Sequence, residues 1–405
     1  MKKNEALKIM VKVVCFVLIM VISLALCNRI FVYKDGVDKF KDFYSEKQQF
    51  DILFFGSSRV LEGIQPMELW EDYGIRSYNM AQHAESLGRD YWQLKNALNT
   101  QVPRLVVMDI SAYYGLYGID PADSNQVGAL HKQLDHIPMS VTKLQTIWEL
   151  CPSGTRAEFV FPFIKYHSRW NGLSTYDLTY KKYQNVRKGA DVNYGFKSLE
   201  RPIWDDSVMD ENFPFEDTKI TEIIDVCKEH GTSVLFINVP NVFEEERMPM
   251  LSWLSNYFEN NDIPYINYQK DEDFLDYRID FGDESHLNAA GSMKLTKAIG
   301  QYFVDNYGVS ETDPKVTDAW NKVLALYKEN KDSYIMSAER NENILMLTYA
   351  DDDYEVKVLT SPERMEYTGT NWFLKDAKGI EGYEGYRIEV YHAGDSEPMR
   401  IWEVK

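Results

Sequence analysis

Two short segments of the chain carry side chains whose types and spacing suit nucleophilic chemistry. The turn Gly56-Ser57-Ser58-Arg59 follows an apolar run at residues 52–55, and the stretch FGDESHLNAAGSMKL holds Asp283 and His286 three positions apart. A serine hydroxyl is a weak nucleophile unless a base lies within hydrogen-bond reach and a third group orients that base. The three-residue spacing lets the carboxylate of Asp283 fold back onto one ring nitrogen of His286, which leaves the other nitrogen to take a proton. The sequence therefore contains every member of a Ser-His-Asp acyl-transfer site.

These two segments can act together only if the fold brings them to one place. Apolar runs alternate with amphipathic helical patterns, which predicts an α/β fold with a parallel sheet covered on both faces. Strands are predicted at residues 52–55, 76–81, 105–110, 234–239 and 265–268. The serine turn follows the first strand, and the loop with His286 leads into the last helix. Both are expected at the carboxyl edge of the sheet, where ligands bind in doubly wound folds.

The arrangement resembles the SGNH/GDSL hydrolase superfamily, and more closely its membrane-anchored branch that includes DltD-like and alginate O-acetylation-like proteins. The nucleophile of that superfamily is the Ser of a Gly-Asp-Ser-like turn after the first strand, which implies Ser58 here. Its Asp-x-x-His block implies His286 as the base and Asp283 as the orienting acid. The resemblance covers about residues 50–308 and implies a flavodoxin-like three-layer parallel sheet, the SGNH hydrolase fold.

The oxyanion hole of that superfamily is matched only in part. Its second block, an Asn and a Gly after the second strand, aligns with Asn79 and Ala84 in YNMAQHAES. The resemblance implies donors at the backbone of Ser58, at Ala84 and at Asn79, with Ala84 suited only if its backbone conformation is compatible. The third block, Gly-x-Asn-Asp, meets MDISAYY, which lacks the Asn; Ser111, Gln82 or the insertion are the open substitutes. Losing one such donor typically costs about a hundred- to a thousandfold in rate, which is compatible with an inefficient or partner-dependent enzyme.

Three further polar residues lie close to these blocks in the sequence. For His83 the alternatives are a substrate contact and a structural role, and the second is favoured. Arg59 either recognises an anionic substrate or pairs with an acidic neighbour, and Asp109 at the end of the third strand is expected to be structural. No phosphate loop, dinucleotide fingerprint or zinc spacing is present, so neither a cofactor nor a metal is expected.

The N-terminus has the pattern of a membrane anchor. Residues 13–27 are uncharged and apolar and follow Lys2, Lys3, Lys8 and Lys12. With residues 9–11 the run approaches the roughly 20 residues that cross a bilayer. The lysines predict a cytoplasmic N-terminus and an extracytoplasmic body in the cell membrane. A cleavable signal peptide is the alternative, which the lack of a small-x-small cleavage site disfavours.

Composition and length frame the remaining expectations. The 405 residues carry a net charge of -19, which argues against a nucleic-acid partner.

Residues 1–34 are expected to form a cytoplasmic tip and transmembrane helix, and 35–50 a juxtamembrane linker or helix. Residues 51–308 are expected to form the SGNH-like domain, with a large insertion at about 113–215, and 309–405 a small accessory domain, α+β or mostly β. Cys151 and Cys227 allow one disulfide without requiring it.

The resemblance implies a membrane-anchored, extracytoplasmic serine O-acyltransferase or esterase that acts on a cell-envelope polysaccharide. Its expected partners are the glycan and a membrane-bound O-acyltransferase. A non-catalytic, membrane-tethered glycan-binding or scaffold protein is one alternative, and a D-alanyl transfer factor for teichoic acid is another. The joint presence of Ser58, Asp283 and His286 favours catalysis.

Overall fold

The computed structural model of the chain has a five-stranded parallel sheet at its centre. It describes residues 2–34, 37–110, 124–179, 185–193, 197, 199–203, 218–242, 248–270, 275–277, 280–309, 313–334 and, beyond 334, mainly strands. The strands of this sheet are β1 (Ile52–Phe55), β2 (Ser77–Asn79), β3 (Leu105–Asp109), β4 (Ser233–Asn238) and β5 (Tyr265–Asn267). Their order is β2-β1-β3-β4-β5 with every neighbouring pair parallel, which is the flavodoxin-like order. The predicted α/β class with a parallel sheet is confirmed.

Helices that cover this sheet fall where apolar periodicity predicts them, with two exceptions. They are α3 (Ser58–Gly63), α4 (Pro66–Tyr73), α5 (Leu87–Leu98), α11 (Thr218–Glu229), α12 (Met248–Asn260) and α13 (Ala289–Tyr307). Leu295, Ile299 and Phe303, which lie on one face of α13 at helical spacing, are buried. Gly74 ends α4 in the left-handed conformation at a φ of 67°, as expected for a glycine after a helix. The sequence did not predict α3, which is only one and a half turns long, nor α12.

Contacts divide the chain into two compact units. The first comprises Met1–Glu46, Lys95–Ala97 and Tyr117–Asn185, and the second the remaining residues. The first contains α1 (Lys2–Phe31), α2 (Val37–Ser45) and the described helices of the predicted insertion. These are α6 (Ser124–Leu134), α7 (Val141–Leu150), α8 (Arg156–Val160), α9 (Phe163–Tyr166), a 3-10 helix (His167–Asn171) and α10 (Thr175–Thr179).

Helix α1 has the length and apolarity that a membrane span requires. Its segment Leu7–Phe31 covers 25 residues, and an 18-residue window within it has a mean hydropathy of 2.9, with none of that window buried against the protein. The predicted N-terminal apolar helix is therefore present, while its orientation across a membrane stays a prediction.

The C-terminal part of the second unit starts with α14 (Pro314–Tyr334), whose Trp320 ring lies 5.2 Å from that of Trp70 on α4. Among the described residues beyond α14, the strands are β6 (Ala338–Asn341), β7 (Ile344–Thr348), β8 (Tyr354–Leu359), β9 (Arg364–Thr368), β10 (Asn371–Leu374), β11 (Tyr386–His392) and β12 (Arg400–Val404). They form antiparallel sheets in the orders β10-β7-β6 and β12-β11-β8-β9. The accessory role of this region stays a prediction. Cys151 and Cys227 are buried free thiols.

Candidate active site

A tight turn after β1 presents Ser58 at the carboxyl edge of the sheet. Gly56 adopts a φ of 146°, and a Cβ there would lie 2.8 Å from the Cβ of Asp109 and 2.9 Å from a methyl of Val60. Only glycine fits a backbone that is both left-handed and this closely packed. Ser57 then caps α3, its hydroxyl accepting from the Arg59 N–H at 3.4 Å. Because Ser57 serves as the cap, Ser58 is left as the first residue of the helix.

A short, internally bonded loop before α13 holds the histidine. Phe281 and Leu287 form a β-bridge, and within it the Gly282 N–H donates to the His286 carbonyl at 2.9 Å. Asn288 then caps α13 by accepting from the N–H groups of its second and third residues at 3.1 Å each. Its own N–H donates to the Asp280 carbonyl at 3.0 Å. The loop is thus tied to the helix that follows it, which fixes the backbone of His286.

The structure brings Ser58, His286 and Asp283 together, although the serine and the histidine are 228 positions apart. The distance from Ser58 Oγ to His286 Nε2 is 2.7 Å. The other ring nitrogen, Nδ1, lies 2.9 Å from both carboxylate oxygens of Asp283. Nδ1 as the donor to Asp283 leaves Nε2 as the acceptor for the serine proton, which is the tautomer that general-base catalysis needs.

Backbone groups of the same loop support the carboxylate of Asp283. Its Oδ1 accepts from the N–H of Ser285 at 2.8 Å and of His286 at 3.0 Å. Burial acts against ionisation of Asp283, but the hydrogen bonds from the His286 ring and from these N–H groups outweigh it. The pKa of Asp283 therefore lies below its usual value, so the group is a carboxylate near neutral pH, as the orienting acid of a triad must be.

Two polar residues beside the triad were missed in the sequence. Asn193 donates its side-chain amide to Oδ2 of Asp283 at 3.4 Å, and it packs on Gly282, where a Cβ would lie 2.5 Å from its carbonyl carbon. Glu62 lies on α3 one turn after Ser58, and burial raises its pKa while His286 and Asn193 oppose that shift only in part. The four-residue spacing between Ser58 and Glu62 could have indicated that Glu62 lies near the nucleophile, whereas no sequence pattern points to Asn193.

The residues aligned with the oxyanion hole are placed differently from one another. Ala84 has a φ of 51°, which lies in the left-handed region that the aligned glycine of the superfamily would adopt without steric cost. Asn79 is fully buried, and its amide donates to the carbonyls of Val60 and Ile64 at 2.8 and 3.0 Å. Its oxygen accepts from the Ala81 N–H at 3.1 Å. Both ends of the Asn79 side chain thus hold α3 and the end of β2, which replaces the predicted oxyanion contact by a structural one.

Gln82, one suggested substitute for the missing donor, lies beside the serine turn, where its backbone N–H donates to the Gly56 carbonyl at 3.0 Å. Its side-chain amide nitrogen is buried and has no hydrogen-bond partner among the described residues, so this alternative stays a prediction. Ser111 lies outside the described residues. His83 is exposed, with Nδ1 4.0 Å from Glu62 Oε1, while Arg59 is buried. Among the residues that the structure describes, no three His, Cys, Asp or Glu side chains are arranged to hold a metal ion.

A buried acidic group lies beneath the serine turn. The carboxylate of Asp90 on α5 is fully buried, and burial raises its pKa well above the usual value. Negative charges at Glu85 and Asp109 add to the shift, which Arg89 and the N–H of Gly56 oppose. Asp109 lies against Gly56, and its structural role stays a prediction.

No protein-family model matches the chain, and no curated protein matches it significantly. Among solved structures it is similar to a Bacteroides fragilis protein named as an acylhydrolase, at 10% identity and a TM-score of 0.30, over 69% of this chain and 93% of that one. It is also similar to a GDSL-like lipase of Bacteroides thetaiotaomicron, at 8% identity and a TM-score of 0.31, over 66% of this chain and 98% of that one. These neighbours are GDSL-like or acylhydrolase proteins of low similarity, and the DltD-like or alginate-acetylation branch stays a prediction.

Proposed function

We propose that the chain is a membrane-anchored serine esterase or O-acyltransferase that works through a covalent ester on Ser58. The observation that carries the proposal is the continuous hydrogen-bonded relay in which Ser58 Oγ lies 2.7 Å from His286 Nε2 and His286 Nδ1 lies 2.9 Å from Asp283. Nucleophile, base and orienting acid at such distances form the constellation that activates a serine hydroxyl.

The proposed reaction has two balanced halves. As Ser58 Oγ bonds to the carbonyl carbon of an ester, its proton passes to His286 Nε2, and Asp283 stabilises the imidazolium. The tetrahedral intermediate then expels the alcohol, which takes the proton back from His286. In the second half, water or a glycan hydroxyl gives its proton to His286 and attacks the acyl carbon, and Ser58 leaves as the free hydroxyl. We assign the oxyanion contacts to the backbone N–H groups of Ser58 and Ala84.

The proposed substrate and location follow from the N-terminal helix and the sequence resemblance. An apolar 25-residue helix preceded by lysines supports a single-pass anchor with the site on the extracytoplasmic side. An enzyme held there meets cell-envelope polysaccharides, so we propose such a glycan as the acyl acceptor or ester substrate and a membrane-bound O-acyltransferase as the acyl donor. This part of the proposal rests on family resemblance.

Labelling with a fluorophosphonate probe tests the nucleophile on the purified full-length chain. We expect an adduct on Ser58, mapped by mass spectrometry, that is absent from Ser58→Ala and strongly reduced in His286→Ala. Ser57→Ala is the matched control: it removes the neighbouring hydroxyl and costs about 1 kcal/mol of helix capping, but it keeps the labelled group. Labelling that persists in Ser58→Ala, or a folded wild type that does not label, would contradict the proposal.

The same preparation distinguishes the two reaction types. We would supply an activated acetyl ester with and without an oligosaccharide acceptor and follow free acetate and acetylated glycan by mass spectrometry. Acetyl transfer that requires Ser58 identifies an O-acyltransferase, whereas acetate release unchanged by the acceptor identifies an esterase. Membrane anchoring is tested separately by alkaline carbonate extraction, which should leave the full-length chain in the membrane pellet.

A further inference from the structure

The described helices of the predicted insertion, which we call the insertion unit, contact the carboxyl end of α1. Asn28 in the last turn of α1 accepts the N–H of Phe163 at 2.7 Å, and the rings of Phe31 and Phe163 pack edge to face at 5.1 Å. The guanidinium of Arg169 donates to the carbonyl of Phe31 and lies 3.8 Å above the ring of Tyr33. Three elements of the insertion, α9, the 3-10 helix and α10, contact α1 in this way.

Lys34 and Arg169 donate hydrogen bonds to backbone carbonyls at and just after the carboxyl end of α1, where helical partners are lacking. Lys34 Nζ donates to the carbonyls of Ile30 and Val32 at 3.2 and 2.6 Å, and Arg169 covers that of Phe31. Asp177 then pairs with Arg169 at 3.1 Å and with Lys34 at 3.8 Å, and it accepts from Ser174 at 3.0 Å. Positive charge at a helix carboxyl end is favourable. Hydrogen bonds and ion pairs therefore connect the carboxyl end of α1 to the insertion unit, and we call this connection the joint.

Large apolar side chains that the fold leaves exposed lie immediately beside this joint. Trp170 follows Arg169 and is 71% exposed, Ile164 follows Phe163 and is 46% exposed, and Tyr176 and Leu178, on either side of Asp177, are 50% and 62% exposed. Each is a direct chain neighbour of a residue bound to the end of α1 or to its cap. We call these four residues the joint patch. A tryptophan, a tyrosine and two aliphatic side chains exposed to water within residues 164–178 are unusual for a soluble surface.

The level of the joint relative to a bilayer follows from α1 itself. After Lys12, the next amide or charged residues of α1 are Asn28 and Arg29, so the hydrocarbon layer ends at that turn. The joint begins at Asn28, which places the patch at the height of the lipid headgroups. Tryptophan and tyrosine are enriched at this depth because their rings are amphipathic.

We propose that the joint patch docks onto the outer surface of the lipid bilayer. Its occupant is the boundary between headgroups and acyl chains, because the patch residues directly adjoin in sequence residues bound to the carboxyl end of α1, a helix whose apolar window is unburied by protein. Helix α1 and the patch then make a two-point contact, one spanning and one interfacial, that fixes the orientation of the insertion unit on the membrane. The inference rests on the proposed membrane anchoring of α1.

Quenching of tryptophan fluorescence by brominated lipids tests this contact. The full-length chain is placed in lipid nanodiscs whose phosphatidylcholine is brominated either just below the headgroup or near the chain end. Subtracting the spectrum of Trp170→Phe from that of the wild type isolates Trp170. We expect its emission to be quenched more by the shallow bromine than by the deep one, as for an interfacial ring.

Trp148, 65% exposed in the same unit and held by Arg156 at 4.0 Å, is the matched comparison through Trp148→Phe. We expect quenching of Trp170 to exceed that of Trp148 by at least about twofold. Unquenched Trp170 in chains that resist carbonate extraction would overturn the docking, leave the anchor intact and point to a protein partner on the patch. Equal quenching of the two tryptophans would also overturn it. Release of the chain by carbonate would mean that the anchor itself has failed.

Discussion

The amide nitrogen of Asn193 lies 3.4 Å from Oδ2 of Asp283, while Oδ1 of the same carboxylate accepts hydrogen bonds from the backbone N–H groups of Ser285 and His286. Both oxygens of Asp283 contact the His286 ring at 2.9 Å. Oδ1 is held in addition by the backbone of the same loop, whereas Oδ2 is held in addition by Asn193, which lies 90 positions away in the sequence. In the proposed mechanism Asn193 is a positioning residue, because it contacts Asp283.

Replacing Asn193 tests this positioning. Asn193→Ala removes a hydrogen bond to a charged group that is long, so we expect a loss of about 1 kcal/mol, or roughly fivefold in kcat/KM. Asn193→Asp keeps the size of the side chain but brings a negative charge towards Asp283 and Glu62, and we expect it to be the more damaging change. Kinetics across pH with an activated ester measure both. If Asn193 only packs against Gly282, the isosteric Asp variant will behave like the wild type.

The turn that presents Ser58 predicts a sharp contrast between two glycines. Gly56→Ala forces a Cβ to 2.8 Å from Asp109 and 2.9 Å from Val60, so we expect a loss of about 1–3 kcal/mol in the free energy of unfolding together with most of the fluorophosphonate labelling. Gly74→Ala is the control, since Gly74 also has a positive φ but its Cβ would meet nothing within 4 Å. It should lose about 1–2 kcal/mol and keep labelling. Equal labelling of the two variants would contradict the role of the turn.

Replacing Asn79 distinguishes a structural role of its side chain from a catalytic one. Asn79→Ala leaves the buried carbonyls of Val60 and Ile64 without their donor, and we expect the free energy of unfolding to fall by about 1–3 kcal/mol. Thermal melting and ester hydrolysis on the same samples provide the test. A variant that melts like the wild type but loses about a hundredfold in kcat would return Asn79 to the oxyanion hole.

The buried carboxylate of Asp90 predicts a dependence of stability on pH. Its folded-state pKa is raised, so above the unfolded value of about 3.9 the folded chain binds a proton that the unfolded chain releases. Stability contributed by this group is complete at lower pH and falls by about 1.4 kcal/mol per pH unit until the folded pKa is passed.

Asp90→Asn removes that slope while keeping the size of the side chain. Melting temperatures of the full-length chain in detergent, measured from pH 5 to about 8, should therefore fall less steeply in the variant than in the wild type. Parallel curves for the two proteins would show that Asp90 is ionised in the folded state.

The triad residues could be predicted because each lies in a locally recognisable place, one after a buried strand and the others before an amphipathic helix. Asn193 could not, since it meets Asp283 across 90 positions and only because Gly282 lacks a side chain. The hydrogen bonds of Asn79 could not be predicted for a related reason. Its amide bonds to carbonyls of α3 and its end, and a helix of six residues is too short to show apolar periodicity.

The separation of 228 positions between Ser58 and His286 also sets the order of events during synthesis. At about 5–20 residues per second, the histidine is made roughly ten to fifty seconds after the serine. Until α13 is complete, the serine has no base and is an ordinary alcohol. Helix α1, the proposed membrane anchor, is made before either. A nascent chain cut short before residue 286 therefore lacks the base of the proposed mechanism, wherever in the cell it is released.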